Sequence, residues 1–462
     1  MMHDPIRDFA NFVVATTYDE IPVSARAAVK IFVLDSLGVG LAGSSGPFVA
    51  ELMATQALWG AGEDARLWSS GRRLPTPAAA MGNAYQMHNS EFDCIHDQAV
   101  VHALSVVLPC AISDAERSGS VNGQTLMSAV ILGVDVVCNL GLAATSAMRF
   151  FRPGAAGLFG AVSAVGKMRG FDVDTLVRAY AIAYAQLCGT MQPHSEGSML
   201  LGMQIGFNAR NAIVACDMAG AGLPGLENVL LGPYGYFSLI EETYDLSGIL
   251  TDLGRRWRIE EMSHKPFPAG RATHGVAEAA LLLRAAHDLT GADIERVELA
   301  LPPMTNRLVG RPAHGTMDVN YGRLCAPYVA ALALLSGQVC LSGFTPTALR
   351  DPATLALADK ISITVADNSD PNVLTPVEMT VTTRNKGVLR QTIETVLGHP
   401  DNPLSREAHL HKFRQNAAVA STPLHPDAVK SLISLVDRLE SLDDVRRLVD
   451  LLTSAAVQDL GE

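Results

Sequence analysis

The sequence predicts a mainly α protein, a large all-helical domain into which a smaller α+β lid domain is inserted. Three observations carry that expectation. Apolar residues recur at helical spacing through roughly the first 260 residues, the pattern shifts to apolar/polar alternation after about residue 262, and it returns to helices from Pro403. The helical domain is therefore placed at 1–262, completed by 400–462, and the lid at 263–399.

The first clear helix spans 24–43, where Val29, Phe32, Val33, Leu37, Gly40 and Leu41 share one stripe and Gly43-Ser44-Ser45-Gly46 ends it. Similar stretches lie near 77–91, 103–117, 122–145, 156–169, 173–190 and 203–221, many with Ala and Gly at contact positions, so the helices pack closely. A helix from Thr273 stops before Gly291. Val297 to Leu301 and 361–366 alternate as half-buried strands, and 379–383, the turn Asn385-Lys386-Gly387 and 388–396 read as a hairpin. The helix at 323–336 is expected to cover this sheet, and helices at 405–416, 425–438 and 442–456 to pack back on the first domain.

At 462 residues, two domains are expected. Hydrophobic residues make up 48% and charged residues 18%, enough for a large core. The net charge of −12, from 35 basic and 47 acidic residues without a basic run, excludes nucleic acid and anionic membranes as partners on electrostatic grounds. A carboxylate site would need a local basic pocket. The longest uncharged stretch, Leu324 to Leu349, is broken by Pro327, Gly337, Gly343 and Pro346, which reads as a core helix and loop rather than a membrane span. Met1-Met2-His3-Asp4 shows no secretory signal. The seven cysteines are scattered without a C-x-x-C pair, which disfavours disulfides, zinc ribbons and iron–sulfur clusters and fits a reducing cytoplasm.

The densest chemistry is Glu91-Phe92-Asp93-Cys94-Ile95-His96-Asp97, followed by His102 at the head of an apolar helix. Buried carboxylates and imidazoles must be paired, and burial moves their pKa values toward the range of acid–base catalysis. A solvated interhelical loop, or a histidine capping the next helix, is the competing reading. Asp93, His96, Asp97 and His102 are also legitimate metal ligands, but their spacing matches no metal signature, so no metal is expected.

A second cluster, His264-Lys265-Pro266-Phe267-Pro268-Ala269-Gly270-Arg271-Ala272-Thr273-His274, falls at the proposed junction, where Lys265 and Arg271 would supply charge for a carboxylate. Tyr328, downstream of Arg323, reads first as a core residue with a satisfied hydroxyl. No phosphate loop, dinucleotide fingerprint or nucleophile elbow is present.

These clusters, in this order, resemble the MmgE/PrpD family, which includes 2-methylcitrate dehydratases, cis-aconitate decarboxylases and iminodisuccinate epimerases. The resemblance also rests on Phe32 to Gly38, Gly157-Leu158-Phe159-Gly160-Ala161, Gly232-Pro233-Tyr234-Gly235-Tyr236-Phe237 and Tyr328 to Leu334. It implies a helical domain with an α+β lid, a homodimer, and a junction site that uses neither metal nor organic cofactor. It places the family's acidic-loop residues on Glu91, Asp93 and His102, and the lid lysine, histidine and tyrosine on Lys265, His274 and Tyr328.

Two segments depart from the family pattern. A His-Pro-Thr-Gly-Thr-like stretch is replaced by Phe151-Arg152-Pro153-Gly154-Ala155-Ala156, and a Lys-x-x-His pair by residues 201–206, with Gln204 there and His194-Ser195-Glu196 just upstream. The lost cation points to a substrate with fewer or differently placed carboxylates.

The expected function is a cofactor-independent lyase that abstracts a proton beside the carboxylate of a small carboxylic acid, first as a 2-methylcitrate dehydratase-like hydro-lyase. Decarboxylation or epimerisation of a di- or tricarboxylate, a non-catalytic helical binding protein, and a metal-dependent hydrolase are the alternatives. Asp93, His102, Lys265, His274 and Tyr328 are the candidate catalytic residues, with His102 first for base or acid. Glu91, His96, Arg152, Gln204 and Arg271 are the candidates for substrate binding.

Overall fold

The computed structural model describes residues 4–454 except Ser369 and Pro371. Within the described residues the fold is mainly α. The Val23–Gly43 helix has Val29, Phe32, Val33, Leu37 and Leu41 in the core, as their spacing requires. Asn122 and Asp172 cap the next helices by accepting from Thr125 N and Thr175 N, at 2.9 and 2.7 Å. The Gly123–Ala143 and Arg152–Met168 helices meet backbone to backbone, and a Cβ on Gly160 would collide with the Gly133 carbonyl. Gly123–Ala143 is long and apolar enough to cross a membrane, but 94% of its apolar window is buried inside the fold.

Several boundaries differ from the sequence expectation for local reasons. Pro153 sits in the first turn, so the helix expected at 156–169 starts at Arg152. The helix expected to reach 190 stops at Tyr184. There the Asn211 and Asn208 side chains donate to the Gln186 and Cys188 carbonyls, at 2.7 and 2.9 Å, replacing bonds a longer helix would make internally. A two-residue pair, β1 (Ala65–Arg66) with β2 (Arg73–Leu74), was not expected.

The main sheet contains β3 (Ile294–Leu301), β4 (Ile361–Val365), β5 (Val377–Thr383) and β6 (Val388–Ile393), in the order β4-β3-β5-β6. β4 lies parallel to β3; β5 and β6 are antiparallel neighbours across the expected hairpin, with Gly387 at φ +73°. The helix expected to cover this sheet at 323–336 does not. His274–His287 packs on β5 and β6, and Ala326–Ser336 packs on that helix instead. Ala326–Ser336 is apolar nearly all round, which suits a helix enclosed by other helices.

After residue 400 the chain returns to the helical body. Arg406–Ala418 and Pro426–Asp437 both pack on Val23–Gly43. The last expected helix spans Arg446–Leu452, and the end of its expected range lies outside the described residues.

Candidate active site

The Thr76–His88 helix stops at His88, and residues 89–101 form a loop before the Ala103–Ser118 helix that is buried except at Asp97 and Gln98. Two non-glycine residues of this loop, Glu91 (φ +51°) and Val100 (φ +52°), are held in left-handed backbone. That conformation costs about 1–3 kcal/mol per residue and persists only where surroundings enforce it. Glu91 N donates to His88 O at 3.0 Å and His96 N to Val101 O at 3.0 Å beside these positions, and a one-rung antiparallel bridge fastens the loop to the segment at Ser263: Ile95 N donates to Ser263 O at 3.0 Å and Ser263 N to Ile95 O at 2.6 Å. His264 N in turn donates to Gly398 O at 2.8 Å, an approach so close that a side chain on Gly398 would strike the His264 carbonyl.

This bridge carries Lys265 into the acidic loop. Its Nζ donates to Glu91 Oε2 at 3.0 Å and lies 3.7 Å from Asp93 Oδ1. Asp93 Oδ2 meets His88 Nδ1 at 2.8 Å and His102 Nδ1 at 3.1 Å, and accepts from Ser105 Oγ. The two imidazoles are set edge to face, with centroids 4.9 Å apart. His102 is the most accessible of these six at 7%, while Asp93 and Lys265 are fully enclosed. The loop is therefore not solvated, and His102, although it occupies the N-cap position, makes no side-chain cap.

Burial alone would raise both carboxyl pKa values, but the surrounding cations prevail. His102, His88 and Lys265 hold Asp93 well below its usual range, and Lys265 with both histidines holds Glu91 at about 2. Burial works against a charged His88, yet Asp93 and Glu91 raise its pKa. Burial lowers that of His102, and Lys265 adds to the effect against the pull of Asp93. The two imidazoles are thus shifted in opposite directions, His88 upward and His102 downward.

The other candidate residues lie elsewhere or are already engaged. Arg152 is fully buried in a fork with Glu241, at 2.9 and 3.1 Å, so it is not available to a substrate carboxylate. Arg271 grips Asp97 at 2.9 and 2.8 Å, His96 meets Glu261 at 3.0 Å, and Gln204 closes two bonds on Thr190. His274 Nε2 donates to the Ala269 carbonyl at 3.0 Å, and burial, Arg271 and Lys265 hold its pKa well below normal. Tyr328 donates to Gly343 O at 2.7 Å beside Phe344 and does not join the cluster, in keeping with a satisfied core tyrosine.

The metal set considered from the sequence does not converge, because His96 and Asp97 turn to Glu261 and Arg271. His88, Asp93 and His102 do offer three ligand atoms within 4.8 Å of one another, but the Lys265 ammonium already sits on the same carboxylate.

Sequence reasoning missed His88. Its signal was the spacing His88-x-x-Glu91, one turn before the acidic loop. It also missed the support behind the loop. Lys412 donates to the Phe92 carbonyl at 3.0 Å, pairs with Asp35 at 2.8 Å and stands 4.1 Å from the centre of the Phe92 ring.

Residues 7–248 match the MmgE/PrpD N-terminal domain and residues 267–438 the MmgE/PrpD C-terminal domain. The chain belongs to the MmgE/PrpD family. It is 29% identical to cis-aconitate decarboxylase of Mus musculus over 451 residues, covering 93% of this chain and 89% of that protein. It is 29% identical to the Homo sapiens enzyme of the same name over 440 residues (92% and 89%). The Aspergillus terreus cis-aconitate decarboxylase is 26% identical over 459 residues (94% and 93%).

Proposed function

We propose that this MmgE/PrpD protein is a lyase that decarboxylates a small unsaturated carboxylic acid, using His102 to move a proton at carbon. The observation that carries this reading is the placement of His102 and Lys265 on the two oxygens of one buried carboxylate, Asp93. 2-Methylcitrate dehydration, placed first on the sequence, yields to decarboxylation because the relatives above are named for that reaction.

His102 Nδ1 stands 3.1 Å from the Cys94 carbonyl, which can only accept, so Nδ1 carries the hydrogen and Nε2 is the nitrogen free for chemistry. In the proposed step the bond to the departing carboxylate breaks and leaves as CO₂. Its electron pair moves into the neighbouring double bond and carboxylate, and the carbon is closed by a proton that Nε2 of the resting, neutral His102 has first taken up from solvent, which leaves the imidazole neutral again. Lys265 stabilises the negative charge while it is delocalised. The segment 263–399 is proposed to act as a lid, since it supplies Lys265 to a loop of the helical body.

The test is a screen of unsaturated and hydroxylated di- and tricarboxylic acids in D₂O, following CO₂ release and deuterium at carbon. One CO₂ and one solvent-derived deuterium per product are expected. Water loss without CO₂ release would overturn decarboxylation, and no exchange on any acid would overturn the proton-transfer reading itself.

A further inference from the structure

Beside the acid–base cluster a cleft of about 940 Å³ lies between the Thr76–His88 helix, the start of the Leu200–Gly220 helix and the Leu341–Phe344 turn. Its rim is apolar and open, with Phe48 54%, Leu200 56% and Val419 45% exposed. Its floor is polar and enclosed, formed by Arg323 and Ser90, which are 5% and 3% exposed. Neither Asp93 nor His102 lines it.

Among the described residues Arg323 is a buried cation that makes no ion pair, with Glu91 acting on it only electrostatically. One guanidinium nitrogen donates to the Asn89 carbonyl at 2.6 Å, and the group lies 5.7 Å from the Phe344 ring centre. Its Nε has no partner among the described residues, and neither has the Ser90 hydroxyl. Burial lowers the pKa of Arg323 to about 10 against the opposing pull of Glu91 and Tyr85. An unpaired buried guanidinium is costly, and native structures keep such groups where an anion answers them. The acidic group of the cleft, Asp318, is exposed, so an anion is disfavoured beside it and favoured at the floor.

We propose that this cleft binds a carboxylic acid bearing an apolar chain or ring, its carboxylate on Arg323 and Ser90 and its apolar part along Phe48, Leu200 and Phe344. A few convergent polar groups within apolar walls is the usual make-up of a small-molecule site, and the volume exceeds what a short dicarboxylate fills. The inference goes beyond the proton-transfer reading and does not require His102. Because Ser90 adjoins Glu91, the occupant lies one residue from the acid–base loop.

The test is calorimetric titration of the full chain with octanoate, with acetate and octanamide as controls. Octanoate is expected to bind at least about tenfold more tightly than either control, since acetate lacks the chain and octanamide the charge. Arg323→Gln is expected to lose about tenfold or more. Met203→Trp, which narrows the cleft from a different wall residue, should weaken octanoate even if the first variant misfolds. Equal binding of octanoate and acetate, or unchanged affinity in a folded variant of either kind, overturns the proposal. His102→Ala should bind octanoate like the wild type, so the cleft can stand if the proton-transfer reading fails. Loss of octanoate binding in that variant would move the ligand out of the cleft and overturn the placement.

Discussion

His102 and Asp93 meet through Nδ1 and Oδ2 at 3.1 Å, while Lys265 stands 3.7 Å from the other oxygen of the same carboxylate. Asp93 thus joins an imidazole from the helical body to an ammonium from the segment after residue 262. If His102 is the proton carrier, His102→Ala should lower turnover by about 10²–10⁴ with little change in melting temperature. Turnover with the acid identified by the screen, measured beside circular dichroism, checks this; wild-type rates would remove the assignment.

Lys265→Met should act on both rate and electrostatics. Losing a donor aimed at developing negative charge costs about 10²–10³ in turnover. Glu91, held at about 2 chiefly by Lys265 against burial, should then titrate higher. Carbon-13 NMR of the Glu91 carboxyl reports the second effect independently of activity.

Stability should fall as the pH drops below 6.5. Burial holds His264 at about 3 and His194 at about 4, with neighbouring cations adding to the effect, and His274 is also well below normal. In the unfolded chain these histidines take up protons near 6.5, whereas folded they stay neutral. Their contribution is complete above 6.5 and is lost as pH falls toward 3–4. Glu91 and Asp93 contribute in the same direction at lower pH, being complete above their ordinary carboxyl range. His88, raised in the fold, opposes the trend. Thermal melts from pH 7.5 to 4 should show a falling midpoint, shallower in His264→Gln; an identical slope in that variant would contradict the assignment.

Arg152 separates a structural cation from a substrate-binding one. Arg152→Met leaves Glu241 buried without its partner and should destabilise the fold by about 3–5 kcal/mol. Replacing both, Arg152→Met with Glu241→Gln, should recover much of that stability, with KM near the wild-type value. A large KM increase in the stable double variant would return Arg152 to the substrate.

Much of the architecture was legible because it depends on local rules. The stripe through Val29, Phe32 and Val33 and the turn before Gly387 each act within a few residues. The acidic loop and Lys265 were legible as chemistry because such groups are rare among apolar segments. What the sequence did not show was which distant partner each charge would meet. Arg152 finds Glu241 and Arg271 finds Asp97, at separations of 89 and 174 residues, and both were read as free for substrate. His88 was overlooked because it ends an apolar helix and resembles a core histidine until the chain turns back and brings Asp93 beside it. Tyr328 was placed with the catalytic group through family resemblance, although its apolar helix already favoured the core role its bond to Gly343 shows.

The Lys412 contact ties the loop to events during synthesis. Phe92 is made 320 residues before Lys412, whose ammonium grips the Phe92 carbonyl and Asp35 from the Arg406–Ala418 helix. A nascent chain stalled before that helix leaves Asp35 buried without its cation and the loop without its clasp. The loop is therefore expected to gain this support only once residue 412 has been made, and a C-terminal cut before residue 406 should loosen a loop more than 300 residues upstream.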